Sequence, residues 1–120
     1  MTGLTEEQKI QIVRCLARNL HAYSVILFGS AAEQSLWKDS NVDVAFLSDS
    51  SLSSEAHELA ATELSGYLNR DVMIVDFNQV HPFYKAQIVS SGVLLYDKKP
   101  LTRQYVFKRA LKDYVLQNQA

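Results

Sequence analysis

The chain has 120 residues, 48% of them apolar, and its 12 Lys and Arg against 13 Asp and Glu leave a formal net charge of −1. That length suits one domain, residues 1–120, with a modest core, and the near-neutral balance excludes a polybasic nucleic-acid arm or an acidic tail. Cys15 is the sole cysteine, which excludes an intrachain disulfide and a multi-cysteine zinc site; it reads as a small core residue.

Met1 to Leu20 mixes Glu6, Glu7, Lys9, Arg14 and Arg18 into its apolar residues, so it is neither a signal peptide nor a membrane span, and the cytoplasm is the expected location. Thr5-Glu6-Glu7-Gln8 has the form of a capping box. It opens a first helix whose stripe of Ile10, Val13, Leu16, Ala17 and Leu20 should lie on a sheet, with Arg14 and Arg18 outward. A first strand follows at Tyr23 to Phe28 and ends at Gly29-Ser30, before a short helix. Strand, glycine turn and helix start together place backbone N–H groups and a hydroxyl at a sheet end, a cradle suited to phosphate.

In the connection, Trp37 reads as a half-buried aromatic that closes a loop beside Lys38, and Asp39-Ser40 as turn chemistry before the second strand. That strand, Asn41 to Leu47, alternates. Asn41, Asp43 and Ala45 share one face, and Val42, Val44 and Phe46 share the other, so the Asp43 carboxylate sits beside the phosphate cradle.

Downstream, Ser48 to Ser54 is a serine-rich loop whose last serines can cap the next helix. Ala56, Leu59, Ala60, Leu64, Tyr67 and Leu68 mark that helix, with Gly66 inside it as a site of close packing. His57 on it has no second ligand at i+4, which argues against a metal role. Asp71 to Phe77 is the third strand. His81-Pro82 starts a third helix that Gly92 ends, and Val93 to Tyr96 is the fourth strand. Pro100 opens the last helix, with a seam of Phe107, Leu111, Tyr114 and Val115 and an opposite side carrying Arg103, Lys108, Arg109 and Lys112 against only Asp113. That basic side reads as a solvated face or, more sharply, as a docking surface for an acidic partner or RNA, and the helix at about 101–117, with its leftover apolar and aromatic residues, suits a protein interface. The expected fold is α/β (α+β): a mixed sheet of about four strands flanked by helices, with strand directions left open.

Gly29-Ser30, ten intervening residues and Asn41-x-Asp43 resemble the Gly-Ser-x(10)-Asp-x-Asp signature of the polymerase-β-like nucleotidyltransferases, in particular the minimal (MNT) family. Ile88 to Tyr96 is also similar to that family, so the resemblance spans nearly the whole chain. It implies the nucleotidyltransferase fold, Gly29 and Ser30 as nucleotide-phosphate ligands, Asp43 as a magnesium ligand, and ATP and Mg²⁺ as cofactors. It also implies a HEPN-family toxin as partner, since MNT proteins are commonly the antitoxins of such pairs; a homo-oligomer is allowed, and the charge balance speaks against a nucleic-acid or membrane partner.

The chain departs from the family at informative positions. Asn41 stands where the first metal-binding aspartate is expected, and Met73 where a third carboxylate would help activate the attacking hydroxyl. An amide brings no charge, and a thioether is neither a base nor a good magnesium ligand. Asp71, two residues before Met73 on the same face, is the candidate substitute. Asp76 matches the family's second strand aspartate but points to the other face. Many active members carry arginine and glycine shortly after Gly-Ser; here Glu33-Gln34 follow, and Glu33 would repel a triphosphate. The favoured expectation is an antitoxin-type MNT protein with nucleotidyl transfer impaired or lost. The alternatives are an active Mg²⁺-dependent transferase that moves AMP from ATP to a protein hydroxyl, and a nucleotide-binding sensor without a toxin partner.

Overall fold

The computed structural model of the chain describes residues 3–32 and 40–118. Helix α1 spans Glu6–Leu20, strand β1 Ala22–Phe28, β2 Val42–Ser48, α2 Ser54–Leu68, β3 Val72–Asp76, α3 Pro82–Ser91, β4 Val93–Asp97 and α4 Pro100–Asn118. Short 3-10 turns follow β1 at Gly29–Ala31 and β3 at Phe77–Gln79. The readings of Glu33, Gln34, Trp37, Lys38 and Asp39 fall outside the described residues.

The strands form one mixed sheet in the order β3-β2-β1-β4. Central β1 runs antiparallel to both β2 and β4, and β2 runs parallel to β3, the pair joined by the α2 crossover. The expected α/β class and strand count are therefore found, and the directions left open by the sequence are set.

Helices cover both faces. On one, Ile12, Cys15 and Leu16 of α1 and Ala60, Leu64 and Leu68 of α2 pack on Val25, Leu27, Val42, Val44, Phe46 and Ile74. On the other, Ile88 of α3 and Ala110 of α4 pack on Ile26, Phe28, Ala45, Leu47 and Phe77. β1 is buried along its whole length, as a central strand covered twice should be.

Local signals account for the element ends. Thr5 caps α1 through a complete capping box with Gln8, and α1 ends on His21 in the left-handed region. Ser53 caps α2, which ends on Asn69 in the same conformation, an arrangement that asparagine tolerates. Pro82 occupies the first turn of α3. At Gly92 a Cβ would strike the Ile88 carbonyl and come within 2.6 Å of the Ile26 side chain, so only glycine lets α3 turn into β4 here.

Several side chains differ from the sequence reading. The buried stripe of α1 is Ile12, Cys15, Leu16 and Leu20, and Ile10 is exposed, because the helix lies against α2 as well as the sheet. Gly66 meets open space, so it serves no close packing. On α4 the inward residues are Val106, Phe107 and Ala110, and Leu111 and Val115 are exposed. Arg103 leaves the solvated side: its Nη2 and Nε donate to Asp97 Oδ2 at 2.8 and 3.1 Å, while Asp97 Oδ1 accepts from the buried Ser24 hydroxyl at 2.8 Å. Among the described residues no helix is long and apolar enough to cross a membrane.

Candidate functional site

The site lies where β1 ends and β2 and β3 begin. Phe28, the last residue of β1, stands opposite Asp43, and Asp43 stands beside Met73 of β3. The alternation of β2 puts Asp43 on the face of Ala45 and Leu47, as expected, with Val42, Val44 and Phe46 in the opposite core. The turn after β1 then doubles back over this carboxylate. Gly29 has φ +66°, and a Cβ there would lie 2.7 Å from Asp43 Oδ2. The Gly29 carbonyl accepts from the Ala32 N–H at 3.1 Å, which closes the turn around half-buried Ser30.

Gly29, Ser30 and Asp43 thus come together as the sequence spacing anticipates. Asp43 is half-buried, and its loss of hydration pushes the carboxyl pKa above the usual aspartate value. Asn41 is exposed just ahead of β2, and Met73 is 53% exposed on the site's own face. Asp71 is also exposed, and its backbone carbonyl accepts the Val42 N–H at 2.9 Å, fixing the start of β3 against β2. Asp76 sits at the far end of β3, where its carboxylate accepts the Asn78 N–H at 3.0 Å and caps the 3-10 turn. His57 Nε2 is 2.6 Å from the Ile74 carbonyl oxygen, a backbone partner that gives the ring a packing role.

One residue at this end escaped the sequence reading. Arg70 Nη1 donates to the Ser40 carbonyl at 3.1 Å, tying the segment before β2 to the segment before β3. Its position just ahead of a strand-start aspartate is the only hint the sequence offers.

A pair of divalent cations needs converging carboxylates. Among the described residues no group of three or more His, Cys, Asp or Glu side chains is placed to hold a metal ion. Asp43 supplies one anionic group; its strand neighbour Met73 and its same-face neighbour Asn41 supply none. The described residues at this sheet end do not fit a two-metal centre.

Residues 10–101 match the sequence model of the family described as polymerase beta, nucleotidyltransferase. The chain belongs to that nucleotidyltransferase family. Solved structures share its fold. A mutant form of the toxin–antitoxin pair MntA–HpeT aligns with a TM-score of 0.84 and 23% identity over 92% of this chain and 90% of the other. A structure of a tri-AMPylated Shewanella oneidensis HEPN toxin in complex with its MNT antitoxin aligns at 0.80 and 22% identity, over 97% of this chain and 92% of the other. A toxin–antitoxin structure with AMP-PNP aligns at 0.74 and 24% identity, over 96% and 88%. No curated protein matches the chain. In this member of the nucleotidyltransferase family, the glycine turn and Asp43 lie together at the sheet end.

Proposed function

We propose that this nucleotidyltransferase-family chain is an MNT-type antitoxin that neutralises a HEPN-family toxin by contact, with nucleotidyl transfer impaired or lost. The observation that carries this is the composition of the site: Asp43 lies against Gly29, between Asn41 and Met73. Phosphoryl and nucleotidyl transfer work mainly by placing positive charge around phosphate. A lone, partly dehydrated carboxylate anchors little of it. Gly29 and Ser30 remain suited to phosphate, so ATP binding is retained in weak form, and Mg²⁺ binding through Asp43 is weaker than a carboxylate pair would give. The fold shared with MNT antitoxins bound to HEPN toxins supports the choice of partner. Such a protein acts in the cytoplasm.

Active transfer is the second reading, and the retained contact between Asp43 and the Gly29 turn favours it. In that reaction a protein hydroxyl oxygen bonds to the α-phosphorus of ATP, pyrophosphate leaves, and a base takes the hydroxyl proton. Met73 cannot be that base. Asp71 is the remaining candidate on that face.

Co-expression with a HEPN-family toxin tests the proposal. Copurification of the two, with growth rescued equally by the wild type and by Asp43→Ala, is the expected result. Rescue that disappears with Asp43→Ala would refute neutralisation by contact.

A further inference from the structure

α4 buries one side and leaves the other bare. Val106, Phe107 and Ala110 pack inward, and Arg103 is held by Asp97. The opposite side carries Leu101, Tyr105, Lys108, Lys112 and Leu116, three or four residues apart and therefore in one line along the helix. Leu101, Tyr105 and Leu116 are 80%, 61% and 56% exposed. Arg109 flanks the line and donates to the Tyr105 hydroxyl at 3.1 Å, which steadies the ring. Three outward cations, Lys108, Arg109 and Lys112, face one outward carboxylate, Asp113, in a chain whose net charge is −1.

The order along the line restricts what can cover it. A helix that lies on a membrane presents an unbroken apolar face with cations at its borders. Here the lysines interrupt the apolar residues. Nucleic acid would engage the cations and leave Leu101 and Leu116 in water. A second copy laid along the same face would bring lysines against lysines near the centre. The complement is a protein surface about 22 Å long, with carboxylates at its middle and apolar groups at both ends.

We propose that the outward face of α4 is the docking surface for such an acidic protein partner, with Lys108 and Lys112 as its central contacts and Leu101, Tyr105 and Leu116 as its apolar ends. This rests on the reading of the chain as a partner-binding antitoxin.

The test measures binding of a HEPN-family toxin to the wild type, to Lys108→Glu/Lys112→Glu and to Leu101→Ser/Tyr105→Ser. All four positions are exposed, so the melting temperature should hold in each variant. Expected is a wild-type affinity that falls with added salt and a loss of at least about tenfold in both variants. Undiminished binding by both variants would overturn the docking face and leave the antitoxin reading standing. Failure of the wild type to bind would remove that reading and the inference together. The face is also overturned if the variants abolish pelleting with phosphatidylcholine–phosphatidylserine vesicles, or a concentration-dependent homodimer, instead of HEPN binding.

Discussion

A methyl group at position 29 would meet two obstacles, a left-handed backbone and the Asp43 carboxylate 2.7 Å away. Gly29→Ala should therefore destabilise the fold by about 1–3 kcal/mol, measured by urea unfolding, and Asp43→Ala in the same chain should return part of that loss. Asp43 itself opposes stability. Its folded pKa is raised by burial, so the folded state holds the proton more tightly than the unfolded one. The cost of the buried charge is present above the folded pKa and is relieved as pH falls through it. Asp43→Asn should accordingly raise the melting temperature at pH 7 and remove that pH dependence, a common trade at a functional site. Restoring the missing carboxylates with Asn41→Asp and Met73→Asp should raise Mg²⁺ affinity at least about tenfold by calorimetry. The same change should cost about 0.5–1 kcal/mol of stability, because like charges then sit beside Asp43 across and along the sheet. Unchanged metal binding would show that the three positions do not form one site. That Asp43 sits beside the Gly29 turn was legible from strand alternation together with the resemblance of the ten-residue spacing to the family signature. Arg70 was not, because its partner is a backbone carbonyl thirty positions away and no local pattern announces it.

Caps and periodicity locate the four α-helices and four strands among the described residues. Which face of a helix turns inward was harder to see. The α1 stripe came out rotated because α2 shares the burial, so Ile12 and Cys15 are covered and Ile10 is not. On α4 the error was electrostatic. Arg103 looked like part of a solvated basic side, yet Asp97 at the end of β4 and Ser24 on the central strand draw it inward. This link joins β1, β4 and α4. Asp97's pKa is lowered, first by the Arg103 hydrogen bonds, so its contribution is fully present above the ordinary aspartate value of 3.8 and is lost as pH falls through the folded value. Arg103→Ala should cost about 1.5–3 kcal/mol at pH 7 and flatten the acid limb of the stability curve. A cost near zero, with the acid limb unchanged, would assign the link no structural weight.

At the scale of the molecule, two helix pairs cover the two faces of the sheet, and at one end of it β1, β2 and β3 bring the glycine turn, Asp43 and Met73 together. The sheet order could not be deduced from the sequence, since an antiparallel β1–β2 pair and a parallel β2–β3 pair leave similar apolar patterns. The residues that gather at this end could, because the resemblance to the minimal nucleotidyltransferase family pointed to Gly29 and Asp43, which the fold brings together. On the proposed function, the chain holds its partner and does not modify it. The direct measurement is the intact mass of the HEPN partner after incubation with this protein, ATP and Mg²⁺. The account predicts a stable complex whose partner keeps its unmodified mass. A partner that gains AMP units with the wild-type protein, and none with Asp43→Ala, would contradict it.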